Sequence, residues 1–173
     1  MKILHSFFSI LDRFCSFKHV LAHCDIPCGI YDPHLAQVAA HTVYRMMTLI
    51  RDAKVPMADT PSADRAQYVH GISRYAATKE EHAEICKKEL RILLGDFFKP
   101  EHLATFPELH DTFWKAMKLA GKARQETHVE TGKELIAAVN KIAEMYWKAK
   151  GIATKTVKAP YPTEEPFVVP DLK

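Results

Sequence analysis

Four stretches of helical periodicity, separated by prolines and glycines, constrain the fold of this 173-residue chain most strongly. Within each stretch, apolar residues recur three and four positions apart, and no segment shows the alternation typical of a strand. The stretches cover about residues 33–56, 61–94, 107–121 and 128–151. Four amphipathic helices joined by short connections predict an all-α fold, an up-and-down four-helix bundle.

Local signals predict where the helices begin and end. Asp32 precedes Pro33, and Thr60 precedes Pro61, so each start combines a side chain that can accept a hydrogen bond from a free helix N–H with a proline preset for the first turn. Glycines at positions 95, 121 and 151 are predicted to end the second, third and fourth helices.

The same periodicity assigns residues to core and surface. Trp114 and Trp147 fall on apolar stripes and are predicted to lie in the bundle core, where Cys86 should be a small buried residue. Lys79 opens a charged run, Lys79-Glu80-Glu81, and is predicted to face solvent. Beyond residue 150 the periodicity is lost and four prolines follow, so residues 151–173 are predicted to form an extended or disordered tail unless a neighbour binds them.

The charge balance and hydropathy exclude two classes of partner. With 24 Lys+Arg against 21 Asp+Glu, the net charge of +3 is too small for a nucleic-acid surface. No apolar run approaches the roughly 18 residues that a membrane span needs. We therefore expect neither a nucleic acid nor a membrane as partner.

The densest chemistry lies between His23 and Pro33, where one imidazole, two thiols and a phenol occupy eleven residues. Cys24 and Cys28 are four positions apart with Pro27 between them, a spacing that lets two sulfurs converge on one soft metal ion. A Cys-x-x-x-Cys pair alone is more often a pair of structural thiols, a disulfide or part of a zinc site. From the spacing by itself these alternatives stay open.

The whole stretch resembles the nickel hook of the nickel-containing superoxide dismutases, His-Cys-Asp-x-Pro-Cys-Gly-x-Tyr-Asp-Pro, with every fixed position filled. Asp96-Phe97-Phe98-Lys99-Pro100 resembles the family segment Asp-Tyr-Phe-Lys-Pro, and residues 106–110 resemble its Tyr-Pro-Glu-Leu-His. The resemblance covers roughly residues 23–150. Phe97 stands where the family has a second tyrosine.

The resemblance implies an enzyme that converts superoxide to dioxygen and hydrogen peroxide by Ni(III)/Ni(II) cycling, with one nickel ion per subunit. Its implied ligands are the His23 amine and imidazole, the Cys24 amide nitrogen and sulfur, and the Cys28 sulfur. It assigns Tyr31 to ordering small anions over the open face of the metal and Asp25 to holding the shape of the hook. Lys99 would add positive potential for a small anion.

The family also implies maturation and assembly. Its enzymes are trimmed by a dedicated maturation peptidase, so residues 1–22 are expected to be a pro-segment whose removal exposes the His23 amine. The alternative, a secretory signal, is disfavoured because Asp12, Arg13 and Lys18 interrupt its apolar region. Metal-binding thiols suit a cytoplasmic location. The family further implies a homo-hexamer.

Two departures from the family concern the residues that support the His23 imidazole. By ungapped alignment, an arginine that supports it falls at His82 and its glutamate partner at Ala39, which leaves Glu80, Glu84 or His82 as candidate substitutes. The alternatives to a dismutase are zinc or copper storage by the hook, a thiol–disulfide oxidoreductase, and a thiol- or metal-binding helical-bundle protein without dismutase activity.

Overall fold

The computed structural model describes residues 29–172, and the helical bundle fills most of that range. Its four helices are α1 (His34–Asp52), α2 (Ser62–Ile92), α3 (Leu109–Gln125) and α4 (Val129–Ala149). Each helix packs on the next along the chain, and α4 packs on α1 to close the ring. The predicted four-helix bundle is confirmed. None of the described helices is long and apolar enough to cross a bilayer.

The helix ends follow the local signals at three places. The backbone N–H of His34 donates to Asp32 Oδ1 at 2.7 Å, so Asp32 caps α1 as predicted. Helix α2 begins directly after Pro61. Helix α4 ends before Gly151, whose φ of 72° lies in the left-handed region that glycine adopts without strain. The Ile152 N–H then returns to the Trp147 carbonyl at 2.9 Å.

The prediction for Lys79 is wrong, and so is the prediction that α3 ends at Gly121. Lys79 is only 3% exposed, and its ammonium donates to the carbonyls of Ala123, Arg124 and Glu126 at 2.7, 2.7 and 2.9 Å. The last carbonyls of a helix lack partners within that helix, and a cation satisfies both their hydrogen bonding and their partial negative charge. Lys79 therefore stabilises the end of α3, which continues to Gln125.

The prediction that Trp114 lies in the core is also wrong. Its neighbour Phe113 is fully buried, whereas Trp114 is 61% exposed with Lys118 Nζ 4.8 Å from its ring centre. Adjacent helical residues point about 100° apart, so one narrow core face cannot hold both rings. Cys86 is fully buried, as predicted.

Helix α2 buries side chains only along its second half. Its buried residues are Lys79, Ala83, Cys86 and Leu90. After Ile92 the chain makes a wider helical turn at Leu93–Phe97 and a short 3-10 turn at Pro100–Ala104. These turns carry Phe97, Phe98 and His102 around one end of the bundle.

The tail forms a β-hairpin, whereas an extended or disordered segment was predicted. Strand β1 (Thr154–Lys158) pairs antiparallel with β2 (Pro166–Pro170), with Val157 opposite Phe167. Phe167 and Val168 are buried, and β2 packs on α4. Backbone pairing within the tail and apolar contact with the bundle together order this segment.

Polar contacts tie the hairpin to α1 and α4. Gln37 Nε2 donates to Asn140 Oδ1 at 2.9 Å and to the Val168 carbonyl at 3.0 Å. Asn140 Nδ2 donates to the Pro166 carbonyl at 2.8 Å. His41 Nδ1 lies 2.8 Å from Thr163 Oγ1. These partners are separated by up to 131 residues.

Helices α1 and α4 approach closely at Gly132. A Cβ at this position would lie 3.0 Å from Tyr44 Cδ2 and 3.1 Å from Tyr44 Cα, which is backbone and cannot turn aside. We expect Gly132→Ala to lower the free energy of unfolding by about 1–3 kcal/mol through overpacking. The matched variant Gly121→Ala places its Cβ 4.0 Å from flexible Lys87 Nζ and should raise stability by about 0.5–1 kcal/mol. Denaturant unfolding of both variants tests the contact, and equal changes would contradict it.

His41 should make hairpin docking depend on pH. Burial lowers the pKa of His41 below its ordinary value of 6.5, against smaller opposing effects of the Pro166 backbone and of Glu165. Below pH 6.5 the unfolded chain therefore binds a proton that the folded chain resists, and stability should fall by up to about 1.4 kcal/mol per pH unit. Thermal unfolding between pH 7.5 and 5.5 should shift more in the native chain than in His41→Gln. Parallel shifts would rule out this contribution.

Candidate metal centre

One end of the bundle carries an open cleft of ≈ 480 Å³. Three parts of the chain meet there: the segment before α1, the turns after α2, and the end of α4. The lining residues are Gly29, Tyr31, Asp96, Phe97, Lys99, Glu101, His102, Ala149 and Lys150. The cleft thus brings together two sequence-predicted residues, Tyr31 and Lys99, that are far apart in the chain.

The other predicted site residues, His23, Cys24, Asp25 and Cys28, lie outside the described residues. The described chain begins at Gly29, directly after Cys28, and Gly29 lines the cleft. Its φ of 86° is one that side chains of L-residues rarely adopt, so the glycine permits the turn at this point. The segment that carries the candidate metal donors is therefore joined to the protein at the cleft itself.

Aromatic rings form one wall and the floor of the cleft. Phe97 stacks on His102 with ring centres 5.8 Å apart and contacts Tyr31 at 6.0 Å. Beneath it lies fully buried Tyr146, whose ring centre is 4.5 Å from that of Phe97. Stacked and tilted contacts of this kind make a packed aromatic surface.

Tyr146 is a site residue that the sequence analysis placed only in the apolar core. Its hydroxyl donates to the backbone carbonyl of Tyr31, and Lys150 Nζ lies 3.4 Å from the same hydroxyl oxygen. A tyrosine on an otherwise apolar stripe was the available signal, because a buried phenol needs a polar partner. The identity of that partner, 115 residues away, had no signal in the sequence.

Charged groups surround the cleft opening. Lys99 and Lys150 line it together with Asp96 and Glu101, so a small anion would meet two ammonium groups within a nearly balanced set of charges. His102 Nδ1 accepts a hydrogen bond from the Lys99 backbone N–H at 2.9 Å. The proton of the neutral His102 ring is therefore on Nε2.

The described part of the bundle offers no alternative metal site. Within residues 29–172, no three His, Cys, Asp or Glu side chains converge as metal ligands. Cys86 lies in that range, and burial raises the pKa of its thiol to about 12, so it stays protonated at neutral pH. Thiolate donors for a soft metal must therefore come from cysteines before Gly29. The candidate donors in residues 23–28, two thiols and one imidazole, fit nickel in a sulfur and nitrogen environment.

The candidates for supporting the His23 imidazole differ in availability. Glu84 already pairs with Arg91 at 2.7 Å and with Arg124 at 3.0 Å. Ala39 is buried in the core. His82 Nδ1 is buried with no hydrogen-bond partner among the residues that the structure describes. Of Glu84 and His82, only His82 has an uncommitted polar atom.

Comparisons with known proteins identify a family. Residues 18–150 match the family model of nickel-containing superoxide dismutase. The chain is 33% identical over 131 residues to a nickel superoxide dismutase of Streptomyces seoulensis and 31% identical to one of Streptomyces coelicolor, covering 76% of this chain and 90% of each relative. It is similar to a crystal structure of a nickel-containing superoxide dismutase in the oxidised state, with 30% identity and a TM-score of 0.62, over 75% of this chain and 99% of that one.

Proposed function

Because this chain belongs to the nickel-containing superoxide dismutase family, we propose that residues 23–28 hold its nickel beside the cleft. The protein is an oxidoreductase with a nickel cofactor that converts two superoxide anions and two protons to dioxygen and hydrogen peroxide. The observation that carries the proposed location is the complete hook sequence from His23 to Pro33, which continues directly into the cleft at Gly29.

The proposed ligands are the His23 amine and imidazole, the Cys24 amide nitrogen and thiolate, and the Cys28 thiolate. Nickel held by these donors supplies the one-electron oxidation and reduction that dismutation requires. The absence of a competing donor cluster among residues 29–172 supports this assignment. Asp25 helps to hold the shape of the ligand segment.

The cleft residues would bind the substrate and exclude other molecules. Tyr31 lines the cleft, where it would help to order a small anion, and Phe97 forms an apolar wall beside it. Lys99 and Lys150 place two ammonium groups at the opening that can attract superoxide at short range, while Asp96 and Glu101 cancel their net charge. This arrangement suits a diatomic anion.

We expect activity only when the chain begins at His23, because an amine in the Ala22–His23 peptide bond is a far weaker donor. Mature protein should bind about one nickel per chain, as one set of ligands allows. One alanine added before His23 should abolish high activity. Intact mass, metal analysis and superoxide dismutation assays on the precursor, the mature chain and the extended chain measure this. Full activity in the uncleaved precursor would refute the mechanism.

Cysteine substitutions supply the matched control. Cys24→Ser and Cys28→Ser should abolish activity, because a hydroxyl is a poor substitute for a thiolate ligand of nickel. Cys86→Ser removes a thiol that is buried and protonated, so it should retain nickel and activity while losing some stability. Loss of nickel in the Cys86 variant alone would place the metal elsewhere.

The proposal includes a compartment and a processing partner. A reducing cytoplasm would keep Cys24 and Cys28 as thiols until nickel binds. A maturation peptidase that removes residues 1–22 would supply the free His23 amine. The compartment follows from the chemistry of the thiols, and the peptidase from the resemblance to the family.

We also propose that the subunits assemble into a homo-hexamer. Apolar side chains near the α1–α2 connection support an interface there, because Val55, Met57 and Val69 are between 60% and 76% exposed. Light scattering at micromolar concentration should give the mass of six chains. A monomer under those conditions would contradict the assembly, and Val69→Glu should weaken it if this face takes part.

A further inference from the structure

A phenol on α4 hydrogen-bonds the backbone just before α1. The first carbonyl that accepts a helical hydrogen bond in α1 is that of Pro33, which bonds to the Gln37 N–H at 3.1 Å. The Tyr31 carbonyl lies two residues earlier, outside the helical pattern, and accepts from the Tyr146 hydroxyl. Tyr146 itself is fully buried within α4. A rigid helix therefore holds the segment that leads to the metal donors.

The direction of the hydrogen bonds at this point is determined by chemistry. A carbonyl oxygen can only accept, so the single phenol proton of Tyr146 points at Tyr31. A lysine ammonium can only donate, so Lys150 Nζ, 3.4 Å away, can approach the phenol oxygen only as a donor. The ammonium then polarises the phenol towards the carbonyl and strengthens its bond to Tyr31.

The neighbouring Phe97 ring cannot make this hydrogen bond. Phe97 packs against both Tyr31 and Tyr146, with ring centres 6.0 and 4.5 Å away, but has no hydroxyl. The phenol of Tyr146 supplies a polar contact beneath the cleft wall that Phe97 cannot make. Cys28 is three residues from Tyr31, at most about 11 Å along the chain, so a displacement of the fastened carbonyl would displace the metal donors.

We propose that Tyr146 is a positioning residue of the dismutase, whose phenol fixes the backbone at Tyr31 and so sets where the ligand segment enters the cleft. This inference rests on the proposed placement of nickel by residues 23–28. Tyr146 touches neither substrate nor metal in this role. It acts through its hydrogen bond to the Tyr31 carbonyl, and the Lys150 ammonium donates a hydrogen bond to its phenol oxygen.

The direct test uses the full chain and needs no metal. Tyr146→Phe removes one oxygen and keeps the ring. In a peptide covering residues 29–36, the His34 amide donates to Asp32, so its hydrogen exchange reports local opening of this segment. Measured by mass spectrometry, this exchange should become about threefold to tenfold faster, the factor expected when local opening costs one hydrogen bond less. Exchange in the rest of α1 should change less, because those amides bond within the helix.

Tyr44→Phe is the matched control. It also removes one phenol, which lies near Glu165, but Tyr44 contacts α4 near Gly132, about 25 Å along the helix from the cleft. It should leave exchange of residues 29–36 unchanged. Unchanged exchange in Tyr146→Phe, or equal acceleration in both variants, would overturn the proposal.

The mature nickel-loaded enzyme provides the second readout. Tyr146→Phe should keep about one nickel per chain, as expected of intact ligands, while kcat/KM falls about threefold to tenfold and the Ni(III) paramagnetic resonance signal broadens. Native kcat/KM together with a native signal in this variant would also overturn the proposal. If nickel instead stays bound in Cys24→Ser, the placement of the metal fails, and the exchange comparison still decides the role of Tyr146.

Discussion

The cluster of Tyr146, Phe97 and Tyr31 is the constraint on which the arrangement of the cleft depends. It joins three parts of the chain that have no local reason to meet: the segment before α1, the turn after α2 and the last turns of α4. Its apolar ring faces are buried when the bundle forms, and the buried phenol of Tyr146 hydrogen-bonds the Tyr31 carbonyl. Ring packing and a buried hydrogen bond thus fix the same part of the chain. A functional site needs its residues held in such a fixed geometry.

Much of the fold could be predicted because its determinants are local. Asp32 caps α1 across two residues, and Gly151 ends α4 through its own backbone conformation. The features that could not be predicted depend on contacts between residues far apart in the chain. Lys79 is buried because carbonyls 44 to 47 residues away need a cation, and no periodicity within α2 records that. The hairpin likewise depends on Gln37 and Asn140, which belong to other elements.

The candidate metal centre also has a part that could be predicted from sequence and a part that could not. The proposed ligand segment could be predicted from sequence because all of its donors are neighbours in the chain and the whole stretch from His23 to Pro33 resembles the family's hook. The spacing of Cys24 and Cys28 alone left a disulfide or a zinc site open. Tyr31 is part of the same stretch. The rest of the cleft, including Tyr146, Lys150 and His102, is assembled by tertiary packing, so each residue reads in the sequence as ordinary core or surface.

The uneven burial of α2 has a consequence for how the native state fluctuates. Its buried residues lie only from Lys79 to Leu90, so no side chain in the first half of this long helix is fully buried. Segments of that kind open locally at a small fraction of the global free energy of unfolding. Transient melting would then begin near residues 53–78, while the second half of α2 keeps the cleft wall in place. The molecule can lose part of a helix for a moment without releasing the end of the bundle that carries its chemistry.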